Sequence, residues 1–252
     1  MVQLSEIVRY CDDLLAASAI ADYCPNGLQV EGRAEVARLV TGVTASRCLL
    51  DRAIELGADA VLVHHGYFWK GEESRVTGMK AARLRRLIRN DISLIAYHLP
   101  LDVHPVYGNN EQLARRLGLQ VEGRIDAAGV PGLLTHGSLP EATDAAAFAE
   151  AIGRALKRAP THVAGGAETV RRVAWCTGAG QRFLAEAAAL GVDAFISGEI
   201  SEPTAHEARE LGVHYYAAGH HATERDGARA LGEHLSERFG IEHRFVDVDN
   251  PA

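Results

Sequence analysis

Residues 38–65 read RLVTGVTASRCLLDRAIELGADAVLVHH, and residues 172–199 read RVAWCTGAGQRFLAEAAALGVDAFISGE. The two stretches align without a gap, 134 positions apart, setting Arg38 on Arg172, Leu56 on Leu190, Gly57 on Gly191, Asp59 on Asp193 and Ala60 on Ala194. Each opens on an apolar run, crosses a turn rich in glycine or serine, and continues with apolar residues at helical spacing. Each then re-enters an apolar run through Leu-Gly-x-Asp-Ala. Strand, helix, strand is a βαβ unit, and here it is made twice.

Outside the repeat, short apolar runs keep alternating with helical patterns, which is the habit of an α/β fold with largely buried strands. Strands are expected at 37–43, 60–64, 92–98, 171–177, 193–197, 213–218 and 242–248. Helices are expected at 3–16, 46–56, 79–89, 109–117, 143–157, 181–190, 202–211 and 221–239. An N-terminal half is drawn over 1–125 and a C-terminal half over 169–252. The stretch 126–168 between them, punctuated by Gly129, Pro131, Gly132, Pro160, Gly165 and Gly166, is expected as a short insert or hinge.

The repeat continues past each second strand with a changed offset of 122, His98 falling on His220. His98-Leu-Pro-Leu-Asp102 then answers His220-His-Ala-Thr-Glu224, each after an apolar strand, ISLIAY and VHYYAA. His64 and His65 close the run AVLV, at the carboxyl end of a buried strand, where open α/β sheets place ligands. Neighbouring strand residues point to opposite faces, so both reach one site only if the chain turns, as Gly66 permits. Asp102 is expected in a loop opened by Pro100. His220 and Glu224, four apart behind Gly219, share a face if a helix starts there.

Three imidazoles and two carboxylates at strand ends would repel one another without cations to neutralise the acids. The set His64, His65, Asp102, His220 and Glu224 exceeds what one catalytic zinc takes, and suits two divalent ions sharing a bridging hydroxide that serves as the nucleophile. Mixed nitrogen and oxygen donors admit Zn, Fe, Mn, Co or Ni. His98 and His221 adjoin the set as orienting groups or proton carriers, and Glu199 stands in the register of His65 as a further orienting acid. Tyr67, Phe68, Trp69 and Lys70 follow the histidine pair, either packed or stacking on a ring with Lys70 on a phosphate. The turn Thr177-Gly-Ala-Gly180 either caps its helix or holds an anion. No Gly-x-Ser-x-Gly elbow, P-loop or Gly-x-Gly-x-x-Gly occurs.

The bulk numbers agree with a soluble catalyst or binder. A length of 252 residues suits one large domain or two small ones, and a formal charge of −7 disfavours indiscriminate nucleic-acid binding. Lys80, Arg83, Arg85, Arg86 and Arg89 make one basic run, the solvated face of a helix that hides Leu84, Leu87 and Ile88, or else a grip for phosphate. No stretch approaches the ~18 apolar residues of a membrane span, and MVQLSEIVRY lacks the basic and apolar regions of a signal peptide. Cys11, Cys24, Cys48 and Cys176 are scattered, as small buried side chains in a reducing compartment would be. A cytoplasmic location is expected.

The strings SAIADYCPNGLQVEG (18–32), GADAVLVHHGYFWKG (57–71), HLPLDVHPVYGNN (98–110), DAFISGE (193–199) and YYAAGHHATE (215–224) resemble the bacterial YbgI family. Its members are also called dinuclear-metal-centre hexameric proteins or GTP cyclohydrolase type-two homologues. The resemblance runs from residue 3 to Ala252. It implies two interlinked α/β halves with mixed sheets flanked by helices, and a toroidal homohexamer. It implies the same five metal ligands, His64, His65, Asp102, His220 and Glu224, and it makes GTP a candidate substrate of a metal-dependent hydrolase. The alternative is a non-enzymatic ring that stores or delivers metal or scaffolds DNA-linked partners.

Overall fold

The computed structural model describes residues 1–252. From the N-terminus run β1 (Val2–Gln3), α1 (Leu4–Leu14), β2 (Gly27–Val30), β3 (Glu35–Val36), β4 (Arg38–Thr44), α2 (Arg47–Glu55), β5 (Ala60–His65), α3 (Gly78–Arg89) and β6 (Ser93–Ala96). Then come α4 (Leu99–Val103), α5 (Asn109–Leu117), β7 (Gln120–Ala127), β8 (Val130–Asp144), α6 (Ala145–Leu156), β9 (Thr161–Val163) and β10 (Thr169–Cys176). The chain ends with α7 (Leu184–Ala189), β11 (Ala194–Ser197), α8 (Thr204–Leu211), β12 (His214–Ala217), α9 (His220–Phe239) and β13 (Glu242–Phe245). Every strand and helix expected from the sequence is present within a few residues.

Two compact units divide the chain, one of Met1–Leu101 with Gly227–Asp249, the other of Asp102–Asp226 with Asn250–Ala252. These limits differ from those drawn at 125 and 169. Residues 126–168, expected as an insert or hinge, supply β8, α6 and β9 to the second unit.

The first unit is built on a five-stranded sheet in the order β13-β4-β5-β6-β2, parallel except for β2. Its central strands are apolar on both faces because helices cover both, as parallel sheets require. Leu39, Leu62 and Ile95 pack with Ile7 of α1 and Leu231 and Leu235 of α9. Val40, Val61 and Val63 face the other way, onto Leu49 of α2 and Leu84 and Leu87 of α3. Ile88, expected on that apolar side, is 67% exposed. It lies past the edge of the stripe that Leu84 and Leu87 define.

The second unit holds a six-stranded mixed sheet, β7-β8-β10-β11-β12-β9, whose β10, β11 and β12 are parallel. Trp175, Ile196 and Tyr216 pack on Phe148 and Ile152 of α6 and Leu113 of α5.

The sequence repeat is a repeat of hydrogen bonding. Leu39 pairs with Ala60, and Val173 with Ala194, the same register 134 residues on. Asp59 accepts from the amides of Ala37 and Arg38, and Asp193 from those of Arg171 and Arg172. Arg38 and Arg172 donate to the carbonyls of Leu56 and Leu190, closing each helix end. The Leu-Gly-x-Asp-Ala signature is thus a clamp that fastens a helix C-terminus to the head of the preceding strand. Beyond it the correspondence is 121, not 122: Ser93 pairs with Ala60 where His214 pairs with Ala194. By backbone register His98 therefore answers Gly219, and the match of His98 with His220 is displaced by one residue.

Candidate metal centre

In the first unit the candidate donors stand at the carboxyl end of β5. His64 is fully buried and its Nδ1 lies 3.0 Å from the carbonyl oxygen of Tyr97. A carbonyl only accepts, so Nδ1 carries the proton and a neutral ring keeps its lone pair on Nε2. His65 Nδ1 lies 3.3 Å from Thr44 Oγ1, and the rings of His64 and His65 are 4.5 Å apart. Gly66 was expected to turn the chain. The strand does end at His65, with a bend at Tyr67, and Gly66 also serves closeness, since a Cβ there would overlap Gln29 and come within 2.7 Å of the Ala96 Cβ.

His98 completes a triangle, its ring 5.0 Å from that of His64 and 5.7 Å from that of His65. One ring nitrogen from each of the three lies within 4.8 Å of the others. Asp22 Oδ1 accepts from His98 Nδ1 at 3.0 Å. Burial alone would raise the Asp22 carboxyl, but the hydrogen bond and charge of His98, with the bonds from Asn26 and Leu99, hold it down at about 2. Trp69 meets the His98 ring edge-on at 5.0 Å. Tyr67 is buried and donates to the carbonyl of Ala45, so of the aromatic run it is packing.

In the second unit α9 begins at His220, which puts Glu224 one turn along on the same side. His220 Nε2 lies 3.2 Å from Glu224 Oε2, and its Nδ1 donates to Glu199 Oε1 at 2.7 Å. Burial would depress this imidazole, but Glu224 and Glu199 outweigh it and raise it to about 9. Glu199 therefore holds the His220 ring by its Nδ1. Glu224 is buried against Gly178, whose φ is +63°, and a Cβ at Gly178 would overlap its Oε1. The glycine turn is shaped around a carboxylate.

Asp102 sits in helix α4, not in the expected loop. Pro100 falls in the first turn, where its missing N–H would have been unpaired in any case. Asp102 Oδ1 accepts from Asn109 Nδ2 at 2.8 Å and from the Thr177 hydroxyl at 3.3 Å. The amides of Thr177 and Gly178 donate to Asn110 Oδ1 and Thr223 Oγ1, so neither of these two is turned toward an anion. His221 is buried beside His220, its amide donating to the carbonyl of Ala252. Sequence reading missed Asp22, Asn26, Asn109 and Thr177 as partners of the donors, because loop residues carry no periodic signal.

These groups suit cations by their own chemistry. His64 and His220 each hold an oxygen acceptor on Nδ1, the arrangement that points Nε2 of a metal-bound histidine at its ion. Asp102 and Glu224 are at most 6% exposed, and buried carboxylates are costly unless positive charge accompanies them. Of the four cysteines, Cys11, Cys24 and Cys176 are buried and Cys48 is exposed, contrary to the expectation that all were core residues. No helix is long and apolar enough to cross a membrane.

Comparison with known proteins adds a lineage to this geometry. The Duf34/NIF3 (NGG1p interacting factor 3) family matches residues 2–251. A protein of Pseudomonas aeruginosa named GTP cyclohydrolase 1 type 2 homolog is 56% identical over 251 residues, covering all of this chain and 99% of its own length. A solved structure of the protein ybgI, described as of unknown function, superposes with a TM-score of 0.96 at 52% identity, each chain fully covered. The structure of TTHA1606 from Thermus thermophilus does so at 0.90 and 34%, again over both whole chains.

Proposed function

Because the chain belongs to the Duf34/NIF3 family, we propose that it is a metal-dependent hydrolase of a nucleotide or related small molecule. In this proposal His64, His65, Asp102, His220 and Glu224 hold two divalent cations. The observation that carries it is the anchoring of His64 and His220 through Nδ1, which makes Nε2 the nitrogen a cation would take, in His220 by displacing the contact with Glu224 Oε2 at 3.2 Å. Zn, Fe, Mn, Co or Ni would accept this donor set. Paired cations of this kind supply Lewis-acid polarisation of a substrate oxygen and a nucleophilic water near neutral pH.

The chain's own residues prepare that chemistry. Tyr97 and Glu199 fix the tautomers of His64 and His220. Asn109 and Thr177 hold one oxygen of Asp102 in place. Gly178 keeps the space that Glu224 needs. His221, next to a donor and buried, is the proposed proton carrier. The name of the Pseudomonas aeruginosa relative directs the first substrate trials to GTP. A cytoplasmic homohexamer is the assembly that goes with this proposal.

The test has two arms. Elemental analysis should find two ions per wild-type chain and markedly fewer in His64→Ala and Glu224→Ala, since loss of one ligand weakens a shared centre. Metal-loaded wild type should then hydrolyse at least one member of a panel of nucleotides and phosphoesters led by GTP. Unchanged metal content in both variants sinks the ligand assignment. Full metal occupancy with no turnover across the panel sinks the hydrolase and leaves metal storage or delivery.

A further inference from the structure

The five-residue loop 22–26, DYCPN, contributes nothing to the five-donor set, yet it grips His98 from several sides. Asp22 Oδ1 accepts from His98 Nδ1 at 3.0 Å, and Asp22 Oδ2 accepts from the backbone amide of Leu99 at 2.9 Å. Asn26 Oδ1 accepts from the His98 amide at 2.7 Å, and Asn26 Nδ2 donates to Asp22 Oδ2 at 3.0 Å, tying the two grips together. Tyr23 from the same loop lies edge-on to the ring, with centroids 5.1 Å apart. A side chain that only filled the core would need none of these bonds.

An ionised carboxylate only accepts, so Nδ1 of His98 carries a proton, and Nε2 is the nitrogen whose lone pair a cation would take. His64 is held the same way by Tyr97, and His220 by Glu199. A carboxylate behind an imidazole is the usual backing for a histidine that binds metal. A ring nitrogen of His98 lies with those of His64 and His65 inside a 4.8 Å cluster. Three imidazoles are by themselves a full protein ligand set for a catalytic zinc.

We infer that His98 is a sixth metal donor, binding a divalent cation through Nε2 beside His64 and His65, with Asp22 and Asn26 as its positioning residues. The inference rests on the dinuclear reading and deepens it: the first unit then offers three imidazoles to one ion. A rival exists on the other side of the ring, where Asp22, Cys24 and His98 also bring donor atoms within 4.8 Å of one another. An ion there would have to displace the hydrogen bond on Nδ1, and it would carry sulfur.

Cobalt separates these arrangements. Metal-stripped full-length wild type, His98→Ala, Asp22→Asn, Cys24→Ser and His64→Ala would be loaded with Co2+, and affinity read by competition with a chromophoric chelator. His98→Ala should bind one of its ions at least about tenfold more weakly, and Asp22→Asn about 10–100-fold more weakly, as loss of an orienting partner does. Cys24→Ser should match wild type, and no spectrum should show thiolate-to-cobalt charge transfer. The melting temperature of the metal-free Asp22→Asn protein is the control, because a merely structural aspartate would lower it and leave cobalt affinity alone. If His98→Ala does not fold, Asp22→Asn carries the test. Wild-type affinity in both His98→Ala and Asp22→Asn, with His64→Ala impaired, overturns the sixth donor and leaves the five-donor reading standing. A charge-transfer band that Cys24→Ser abolishes overturns it as well, by placing the ion on the sulfur side. Wild-type affinity in His64→Ala too overturns both readings.

Discussion

At the scale of single residues, His220 connects protonation to cation binding. Two carboxylates, Glu224 and Glu199, overcome its burial and hold the imidazole at about 9. Below that pH the cation-free protein keeps His220 charged, so a cation competes with a proton for the ring. Binding must then release that proton, and the dissociation constant should rise about tenfold for each pH unit below 9. Titration calorimetry at pH 7.5 in two buffers of different ionisation enthalpy should count about one proton released on account of this residue, and none at pH 10. Equal heats in the two buffers at pH 7.5 would show that His220 gives up no proton, and would remove it from the ligand set.

At the scale of elements, β13 shows how a histidine can make a sheet edge sensitive to acid. His243 pairs with Leu39 of β4, its Nε2 lies 2.8 Å from the Thr41 hydroxyl, and a Cβ at Gly232 of α9 would overlap its ring. Burial first, and then the charge of Arg229, depress its pKa from 6.5 to about 4. The folded protein therefore takes up this proton less readily than the unfolded chain. The stability involved is complete above about 6.5, falls as the pH drops, and levels off below about 4. Denaturant unfolding at pH 7 and pH 5 should show wild type losing about 1 kcal/mol more than His243→Gln, screening by solvent included. Identical losses would mean that the ring titrates alike in both states. The same elements show what a sequence makes visible. β4, β5, β10 and β11 were legible because both faces are buried and apolar, and because the Asp59 and Asp193 clamps leave a repeated signature. β7 and β8 were not. In β7 exposed residues alternate with half-buried ones, and β8 carries Pro131, Gly132, Gly137 and Pro140, which read as punctuation. Helix α4 was hidden by Pro100, and the grip of Asp22 on His98 joins residues 76 apart that no periodicity links.

At the scale of the whole molecule, the proposed centre makes a thermodynamic claim that no single unit can satisfy. His64 and His65 belong to the first unit, and Asp102, His220 and Glu224 to the second. If both sets hold the same cations, metal stabilises the chain by about 2.7 kcal/mol when its free concentration is 100 times the dissociation constant. Losing a donor from either unit should remove most of that increment, and losing one from each should remove little more. Thermal unfolding of wild type, His64→Ala, Glu224→Ala and the double variant would be followed with metal and with chelator. Protein concentration would be held constant because the proposed homohexamer would add its own mass-action term. The coupling between the two substitutions in chelator is the reference. In metal they should be strongly non-additive, with a coupling above about 0.5 kcal/mol. Two independent, additive increments would mean that each unit binds its own ion, and the shared dinuclear centre would have to be given up for two mononuclear ones.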